Sequence, residues 1–147
     1  MLVTISGHHL PGRQFCRPDG CVMDNVHVAV QVRRDPWQPI RADQARAAWT
    51  IDVDVVDRDG GRDFRGPAVH GRRGERFLYL TWGNVATDGS FEMFRRAKLV
   101  LDHIEPALLD AAVASGRLTA TVDLTSGDGG PRCARVDPPA IEWSAPA

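Results

Sequence analysis

Segments in which apolar and polar residues alternate are the feature that most constrains how this chain can fold. In Asn25 to Arg33 every second residue is valine, and Ala47 to Val56 and Leu118 to Leu124 repeat the alternation. Successive side chains of a β-strand point to opposite faces, so this period of two predicts strands with one buried face. Further strands are predicted over Leu2 to Ser6, Arg76 to Trp82 and Phe94 to Leu101. Arg76 to Trp82 is apolar on both faces, which predicts a central strand covered on two sides.

One helix is predicted between the last two of these strands, over residues 106–115. Pro106 suits the first helical turn, and Gly116 suits the position just after the last turn. Apolar residues between them form one stripe, which predicts that the helix packs on the sheet. After the turn from Gly127 to Pro131, the chain is predicted to return as a hairpin through Cys133 to Val136.

Together these segments predict a β-rich α+β fold. We expect a mainly antiparallel curved sheet, sandwich or small barrel of about six or seven strands with one packed helix. The length of 147 residues suits a single globular domain over 1–147. In such a fold a ligand pocket is expected at a barrel mouth, or between the sheet, the helix and the loops.

The composition narrows the class of partner. The 18 basic and 19 acidic residues nearly cancel, which argues against a surface that binds nucleic acid or a membrane through net charge. No basic flank with an apolar segment of signal-peptide length begins the chain, and no later segment is long enough to span a membrane, so a cytoplasmic location is expected. All basic residues except Lys98 are arginine, which is typical of a G+C-rich bacterial genome.

The loop before the predicted central strand is the candidate functional site. It carries His70, Arg72 and Arg73, and Arg76 follows at the start of the strand. The planar fork of an arginine side chain suits a carboxylate or a phosphate. A histidine with an ordinary pKa near 6.5 can accept or donate a proton at neutral pH. The loop could therefore bind an anion through its arginines, with His70 as the proton donor or acceptor.

Two carboxylates accompany this loop, Asp63 before it and Glu75 within it. Either could orient His70, or it could simply pair with one of the arginines. Composition alone favours the plainer interpretation of the whole segment, a solvated surface loop with exposed arginines. The length of the two connections Gly7 to Asp24 and Arg58 to Gly74 nevertheless favours a functional role, because structureless loops of this length are uncommon in compact domains.

The same region carries a family resemblance. Its motifs are the segment from Asp63 through His70 to Trp82-Gly83, Met93 to Leu99 before the helix, and Pro138 to Trp143 near the end. In these segments the chain resembles a family of small actinobacterial proteins classed as a domain of unknown function. The resemblance covers nearly the whole chain. It implies no particular activity and no catalytic residues.

Other polar positions are candidates for lining a cavity. His27 and Gln31 lie on the polar face of the second predicted strand and would point inward if the sheet closes into a barrel. Ordinary solvent exposure is the alternative. Tyr79 and Trp82 lie on opposite faces of their strand, so at most one is expected to line a given cavity. Core packing is the plainer interpretation for Trp49, Phe77 and Trp143.

Cys16 and Cys21 flank a Pro-Asp-Gly turn signal that would bring their thiols together. That closeness permits a disulfide, or a Zn²⁺ ion completed by His8, His9 or Cys133. The spacing matches no strong zinc motif, and the odd count of three cysteines favours free thiols in a reducing cytosol.

These observations support three hypotheses of function. The first is a small-molecule-binding domain, whose finer form is a cofactor-independent acid-base enzyme of the isomerase, cyclase or lyase type in bacterial specialised metabolism. Its substrate would be anionic or enolisable, hence a small anionic or carbonyl-containing molecule. The catalytic candidates are His70, Asp63, Glu75 and His27, and the substrate-binding candidates are Arg72, Arg73, Arg76, Tyr79 and Gln31.

The second hypothesis is a noncatalytic protein-interaction or homodimerisation module, which would expose an apolar patch near Trp37 or Trp143. The third is a metal-dependent site built on Cys16 and Cys21. No phosphate-binding loop, dinucleotide fingerprint or nucleophile elbow is present in the sequence, which argues against nucleotide and serine hydrolysis. Neither a cofactor nor a metal is part of the favoured hypothesis.

Overall fold

A computed structural model describes residues 1–9, 16–17, 20–21, 26–30, 38–40, 48–71, 75–85, 88, 91–123, 134–136 and 140–146. Within these residues the chain is mostly β-strand, with a single 3₁₀ turn at Leu101–His103 and one α-helix. The strands are β1 (Leu2–His9), β2 (Cys16–Arg17), β3 (Gly20–Cys21), β4 (Val26–Val30), β5 (Gln38–Ile40), β6 (Trp49–Arg58), β7 (Gly61–Arg65), β8 (Val69–His70), β9 (Phe77–Val85), β10 (Phe91–Val100), β11 (Arg117–Asp123), β12 (Ala134–Val136) and β13 (Ala140–Ser144). The helix, α1, is Pro106–Ser115.

The strands form two larger sheets and one small hairpin. The first sheet has the order β13-β11-β1-β6-β7, and the second has the order β12-β10-β9-β4-β5 with β8 beside the start of β9. β2 and β3 pair with each other. Most neighbours are antiparallel, whereas β1 with β11 and β10 with β12 are parallel. The strands curl into a half-barrel, so the predicted β-rich α+β fold with one packed helix is confirmed.

One hydrophobic cluster joins both sheets and the helix. From β6, alternate residues beginning with Trp49 are buried, and Leu78 and Leu80 of β9 are fully buried. Leu109 and Ala112 of α1 belong to the same cluster. Each large apolar side chain that folding removes from water contributes about 1.5–3 kcal/mol. The alternation in the sequence of β6 predicts a strand with one buried face, and this prediction is confirmed.

The helix begins and ends as predicted. Pro106 occupies its first turn, and Gly116 follows it in the left-handed conformation with φ of 74°. The Gly116 amide donates a 2.8 Å hydrogen bond to the carbonyl of Ala112, which closes the last turn. α1 packs against β1 and β11, so its predicted contact with the sheet is confirmed.

The predicted hairpin through Cys133 to Val136 is wrong. Ala134–Val136 forms β12, which pairs in parallel with β10 of the second sheet. β11 instead pairs with β1 in parallel and with β13 in antiparallel orientation. A turn signal predicts only that the chain reverses, whereas the partner of the following strand depends on long-range packing.

The connection from Arg58 to Gly74 is not a structureless loop. It contains β7, which pairs with β6, and β8, which pairs with β9. Phe64 is the single buried residue of β7, so this edge strand lacks the alternation on which strand prediction depends. The predicted connection from Gly7 to Asp24 also starts too early, because Gly7 lies within β1, opposite Trp49 of β6. The described residues thus form thirteen strands rather than six or seven.

No helix in the described part of the chain is long and apolar enough to cross a membrane.

Candidate functional site

Two adjacent cavities open beside the turn between β6 and β7. The first, the apolar cavity, has a volume of about 350 Å³, and the second, the arginine cavity, has a volume of about 400 Å³. Gly61 and Arg62 line both of them. We refer to the pair as the double cleft, with Arg62 at the boundary between its halves.

The apolar cavity lies between β7, the 3₁₀ turn after β10 and the start of α1. Its other lining residues are Phe64, Leu101, Asp102, Ile104, Pro106, Leu109 and Asp110. Five of these seven are apolar, and the two aspartates bring the negative charge. A concave, mainly apolar surface with a few polar groups is the usual form of a small-molecule site.

The arginine cavity is polar. Arg58, Arg62 and Arg76 line it together with Asp59, Asp63 and the glycines of the turn. The turn is tight because β6 and β7 pair as far as Arg58 with Gly61. Gly60, at its tip, has φ of 86°, a left-handed conformation that glycine adopts without steric cost. Three guanidinium groups therefore face two carboxylates in this half of the cleft.

Arg62 is held by two aspartates but keeps an unmatched donor. Its Nε donates a 3.3 Å hydrogen bond to Asp57 Oδ1. Its Nη1 lies 3.0 Å from Asp110 Oδ1, which is an ion-pair distance. The direction of that contact is not the direction of a hydrogen bond, and Nη1 is a buried nitrogen without a hydrogen-bond partner among the described residues. Because buried polar groups are usually hydrogen-bonded, a donor without a hydrogen bond next to a cavity is a candidate contact for a ligand.

Asp63 and Arg76 form the central ion pair of the arginine cavity. Arg76 Nε donates a 3.0 Å hydrogen bond to Asp63 Oδ1, and Arg58 Nη2 lies 3.2 Å from Asp63 Oδ2. The hydrogen bond from Arg76 is the main cause that lowers the pKa of Asp63, and burial of the carboxyl partly opposes it. The Phe64 amide and the charges of Arg76 and Arg58 lower this pKa further.

Arg76 also connects several elements through its backbone. Its amide donates a 2.7 Å hydrogen bond to Asp102 Oδ2, and its carbonyl accepts one of 2.8 Å from the Leu101 amide. Its Nη1 donates to the carbonyl of Gly71. Arg76, just before β9 of the second sheet, thus contacts β7 of the first sheet, Gly71 and the 3₁₀ turn after β10. Its contacts within the protein explain its fixed position in the cleft.

Replacing Asp63 with asparagine is expected to lower the free energy of unfolding at neutral pH by about 1.5–3 kcal/mol, the contribution of a hydrogen bond between charged groups. Because folding lowers the pKa of Asp63, its stabilisation is complete above the ordinary carboxyl pKa and is lost as the pH falls through the folded value. Urea denaturation from neutral pH to about pH 2 should show the wild type and the variant converging in acid.

The matched control for that experiment is Asp57→Asn. Asp57 pairs with Arg62 at the same turn, but its side chain is 73% exposed, and exposed pairs contribute about 0–1 kcal/mol. An Asp63→Asn variant no less stable than Asp57→Asn would contradict the role assigned to the Asp63–Arg76 pair.

His70 and Tyr79 lie in an aromatic group on the second sheet. The His70 ring stacks on Phe77 with centroids 5.7 Å apart and planes at 23°, and Tyr79 meets Phe77 edge to face at 6.4 Å. Lys98 Nζ lies 4.5 Å from the centroid of the Phe77 ring, within cation–π range. The structure therefore brings two of the sequence-predicted site residues together through Phe77, which is half-buried rather than part of the core.

The remaining predicted site residues are dispersed or lie outside the described residues. Glu75 is exposed, next to Arg76. His27 is in β4, where its Cα pairs with that of Gly83 in β9. The positions of Arg72, Arg73 and Gln31 fall outside the described residues. Of the carboxylates predicted to orient His70 or to pair with an arginine, Asp63 pairs with two arginines.

Comparison with known proteins identifies the family. The model of DUF5990, a family of unknown function, matches residues 1–146. The chain belongs to the DUF5990 family. The predicted resemblance to a family classed as a domain of unknown function is thereby confirmed. Searches of the curated proteins and of the solved structures found no similar protein.

Sequence reasoning on this DUF5990 chain missed the larger part of the double cleft. Arg58 and Arg62 flank Asp59-Gly60-Gly61, and Asp-Gly between strand-like segments is a strong hairpin signal. That signal could have placed both arginines at one turn. No local signal indicates that Asp110 of the helix approaches Arg62, because their contact depends on how α1 packs.

Two alternatives for the DUF5990 protein concern other surfaces. Among the described residues, no group of three or more His, Cys, Asp or Glu side chains could hold a metal ion. Trp143 is half-buried against the core, and the large apolar side chains exposed in the described residues are Met1 and Leu2. Trp37, where an apolar docking patch was also predicted, lies outside the described residues.

Proposed function

We propose that this DUF5990 protein is a small-molecule-binding domain whose ligand is an anion with an apolar body, held in the double cleft. The observation that carries the proposal is the position of Arg62, which lines both cavities and has a buried Nη1 without a hydrogen-bond partner in the described residues. A carboxylate at this boundary would accept from Arg62 while its chain enters the apolar cavity. Charge-assisted bonds from arginine to carboxylate are among the strongest available to a binding site.

The donors of the arginine cavity, rather than a net positive charge, support an anionic ligand. Three arginines and two aspartates line this cavity, and Asp57 and Asp110 also pair with Arg62. Asp63 is ion-paired with Arg58 and Arg76. The Asp63–Arg76 pair is therefore part of the cavity wall. A second guanidinium, that of Arg58, is half-exposed at 50% and could turn toward a ligand.

The finer form of the proposal is a cofactor-independent acid-base enzyme of the isomerase, cyclase or lyase type, with His70 as the group that moves a proton. Its support is the link along the chain between the cleft and His70, whose own side chain lines neither cavity. Arg76 lines the arginine cavity and donates to the carbonyl of Gly71, the residue after His70. An enolisable carbonyl in the ligand would give His70 a proton to remove.

The test uses 2-oxooctanoate, which combines a carboxylate, an enolisable carbonyl and an alkyl chain. Two controls each lack one part: pyruvate lacks the long chain, and 2-octanone lacks the carboxylate. In an amide NMR titration we expect 2-oxooctanoate alone to shift the resonances of Gly60, Gly61 and Asp110 strongly. Arg62→Gln should weaken its binding by about tenfold or more, the effect of losing one charged hydrogen bond.

Arg65→Gln is the matched control, because Arg65 lies three residues along the same strand, is exposed and lines neither cavity. Equal weakening by both variants, or no shifts at the cleft, would overturn the binding proposal. In deuterated buffer, the enzyme hypothesis further expects faster exchange of the protons next to the ligand carbonyl, and His70→Asn should abolish the acceleration. Binding without faster exchange would support the binding proposal and contradict the enzyme hypothesis.

A further inference from the structure

We infer that Cys16 and Cys21 form a reversible disulfide by exchange with low-molecular-weight disulfides of the glutathione type. The inference concerns the β2–β3 hairpin, outside the double cleft, and does not depend on the proposed function. It rests on the strand register, which places the two cysteines directly opposite each other.

The register fixes the geometry. β2 and β3 are antiparallel, and Arg17 pairs with Gly20 across a connection of two residues, Pro18 and Asp19. Cys16 and Cys21 are the next pair outward. Residues directly opposite in an antiparallel pair share one face, with Cα atoms about 4.5–5.5 Å apart. Disulfides require a Cα separation of about 4.4–6.8 Å, so the backbone is already arranged for the bond.

The short separation of Cys16 and Cys21 in the chain favours a disulfide that forms easily and is easily reduced. Pairing in the hairpin holds the backbone of one cysteine beside that of the other, so closure within the chain competes well with a second molecule of glutathione. A ring closed over so few residues removes less chain entropy from the unfolded state than a long loop does, so the bond stabilises the fold modestly. Excess thiol can therefore reopen it.

The exchange balances without any metal or enzyme. The thiolate of one cysteine attacks a sulfur of glutathione disulfide, which forms a mixed disulfide and releases one glutathione thiolate. The thiolate of the other cysteine attacks the protein sulfur of that mixed disulfide and releases the second glutathione. Two protein thiols are oxidised, one glutathione disulfide is reduced to two thiols, and the two protons pass to the departing thiolates.

The experiment is thiol alkylation followed by mass spectrometry of the Cys133→Ser protein, which leaves only this pair. Trypsin cleaves poorly between arginine and proline, so Cys16 and Cys21 remain in one peptide, 14–33. After incubation with glutathione disulfide we expect neither cysteine of this peptide to be alkylated. The peptide should also be lighter by two hydrogen atoms than its reduced, unalkylated form. Excess glutathione should restore both alkylation sites.

The Cys16→Ser variant provides the control, because Cys21 then has no partner and should retain a glutathione as a mixed disulfide. Stable glutathione adducts on both cysteines of the Cys133→Ser protein would overturn the inference, as would two thiols that stay open to alkylation. Stoichiometric zinc in the purified full chain, protecting both thiols from glutathione disulfide, would also overturn it and assign the pair to a metal.

Discussion

Replacing Gly7 with alanine is expected to lower the free energy of unfolding by about 3 kcal/mol, at the upper end of the cost of overpacking a core. Gly7 lies in β1 directly opposite Trp49 of β6. The indole ring of Trp49 covers the glycine so closely that an added Cβ would lie 2.6 Å from Cη2 and nearer still to Cζ2 and Cε2. Trp49 is only 2% exposed and packs in the hydrophobic cluster, so the ring has no free space into which it can turn.

A double-mutant cycle tests this explanation. Trp49→Leu alone should cost about 3 kcal/mol, because it removes a large buried ring and leaves a cavity. In the double variant the alanine methyl group would enter space that the ring vacated. The combined cost should therefore be clearly smaller than the sum of the two single costs, which is the signature of residues in contact.

Urea denaturation monitored by circular dichroism supplies the four free energies of the cycle. Ser6→Ala serves as the neighbouring control, since Ser6 is exposed on the other face of β1, and its replacement should change stability by no more than about 0.5 kcal/mol. Additive effects of Gly7→Ala and Trp49→Leu would show that the glycine is required for a reason other than the ring above it.

This pair of residues also shows where sequence reasoning about the fold stops. The alternation from Trp49 to Val55 predicted a strand with one buried face, and the burial of β6 follows it. Nothing near Gly7 in the sequence indicates that its partner is a tryptophan more than forty residues away. Local pattern predicts which face of a strand is buried, whereas register and strand partners depend on contacts between distant segments.

The candidate site likewise has a part that the local sequence predicts and a part that depends on distant contacts. Arg76 and Asp63 were predicted as members of a charged loop, and they do form an ion pair. Arg62 could have been found from the Asp59-Gly60 turn signal. The apolar cavity could not have been predicted from the sequence. Leu101 and Leu109 line it only because α1 and the 3₁₀ turn pack against β7. The polar half of the cleft is largely local in sequence, and the apolar half is a product of the tertiary fold.

Replacing Gly71 with alanine is the second substitution with a large expected effect, again about 3 kcal/mol of lost stability. Gly71 has φ of 113°, a conformation that other residues rarely adopt. An added Cβ would also strike the backbone of Glu75, with its carbonyl carbon 3.0 Å away and its carbonyl oxygen closer. A backbone atom cannot rotate away as a side chain can, so the backbone of Gly71 or of Glu75 must shift.

Gly60→Ala separates these two causes. Gly60 has φ of 86°, but an added Cβ would meet no atom within 4 Å, so its replacement should cost only the conformational strain of about 1–2 kcal/mol. The excess cost at Gly71 then measures the collision with Glu75. Equal costs at the two glycines, measured by urea denaturation, would remove the collision from the explanation.

The shift expected in Gly71→Ala reaches the arginine cavity, because the Gly71 carbonyl accepts a hydrogen bond from Arg76 Nη1. Displacing that carbonyl should weaken the hold on the guanidinium that lowers the pKa of Asp63. The variant should therefore lose less stability than the wild type as the pH falls from neutral toward the folded pKa of Asp63. Gly60→Ala should keep the wild-type pH dependence. An unchanged pH dependence in Gly71→Ala would mean that Asp63 and Arg76 remain paired without this hydrogen bond. The Gly71 carbonyl would then have no part in positioning the wall of the double cleft.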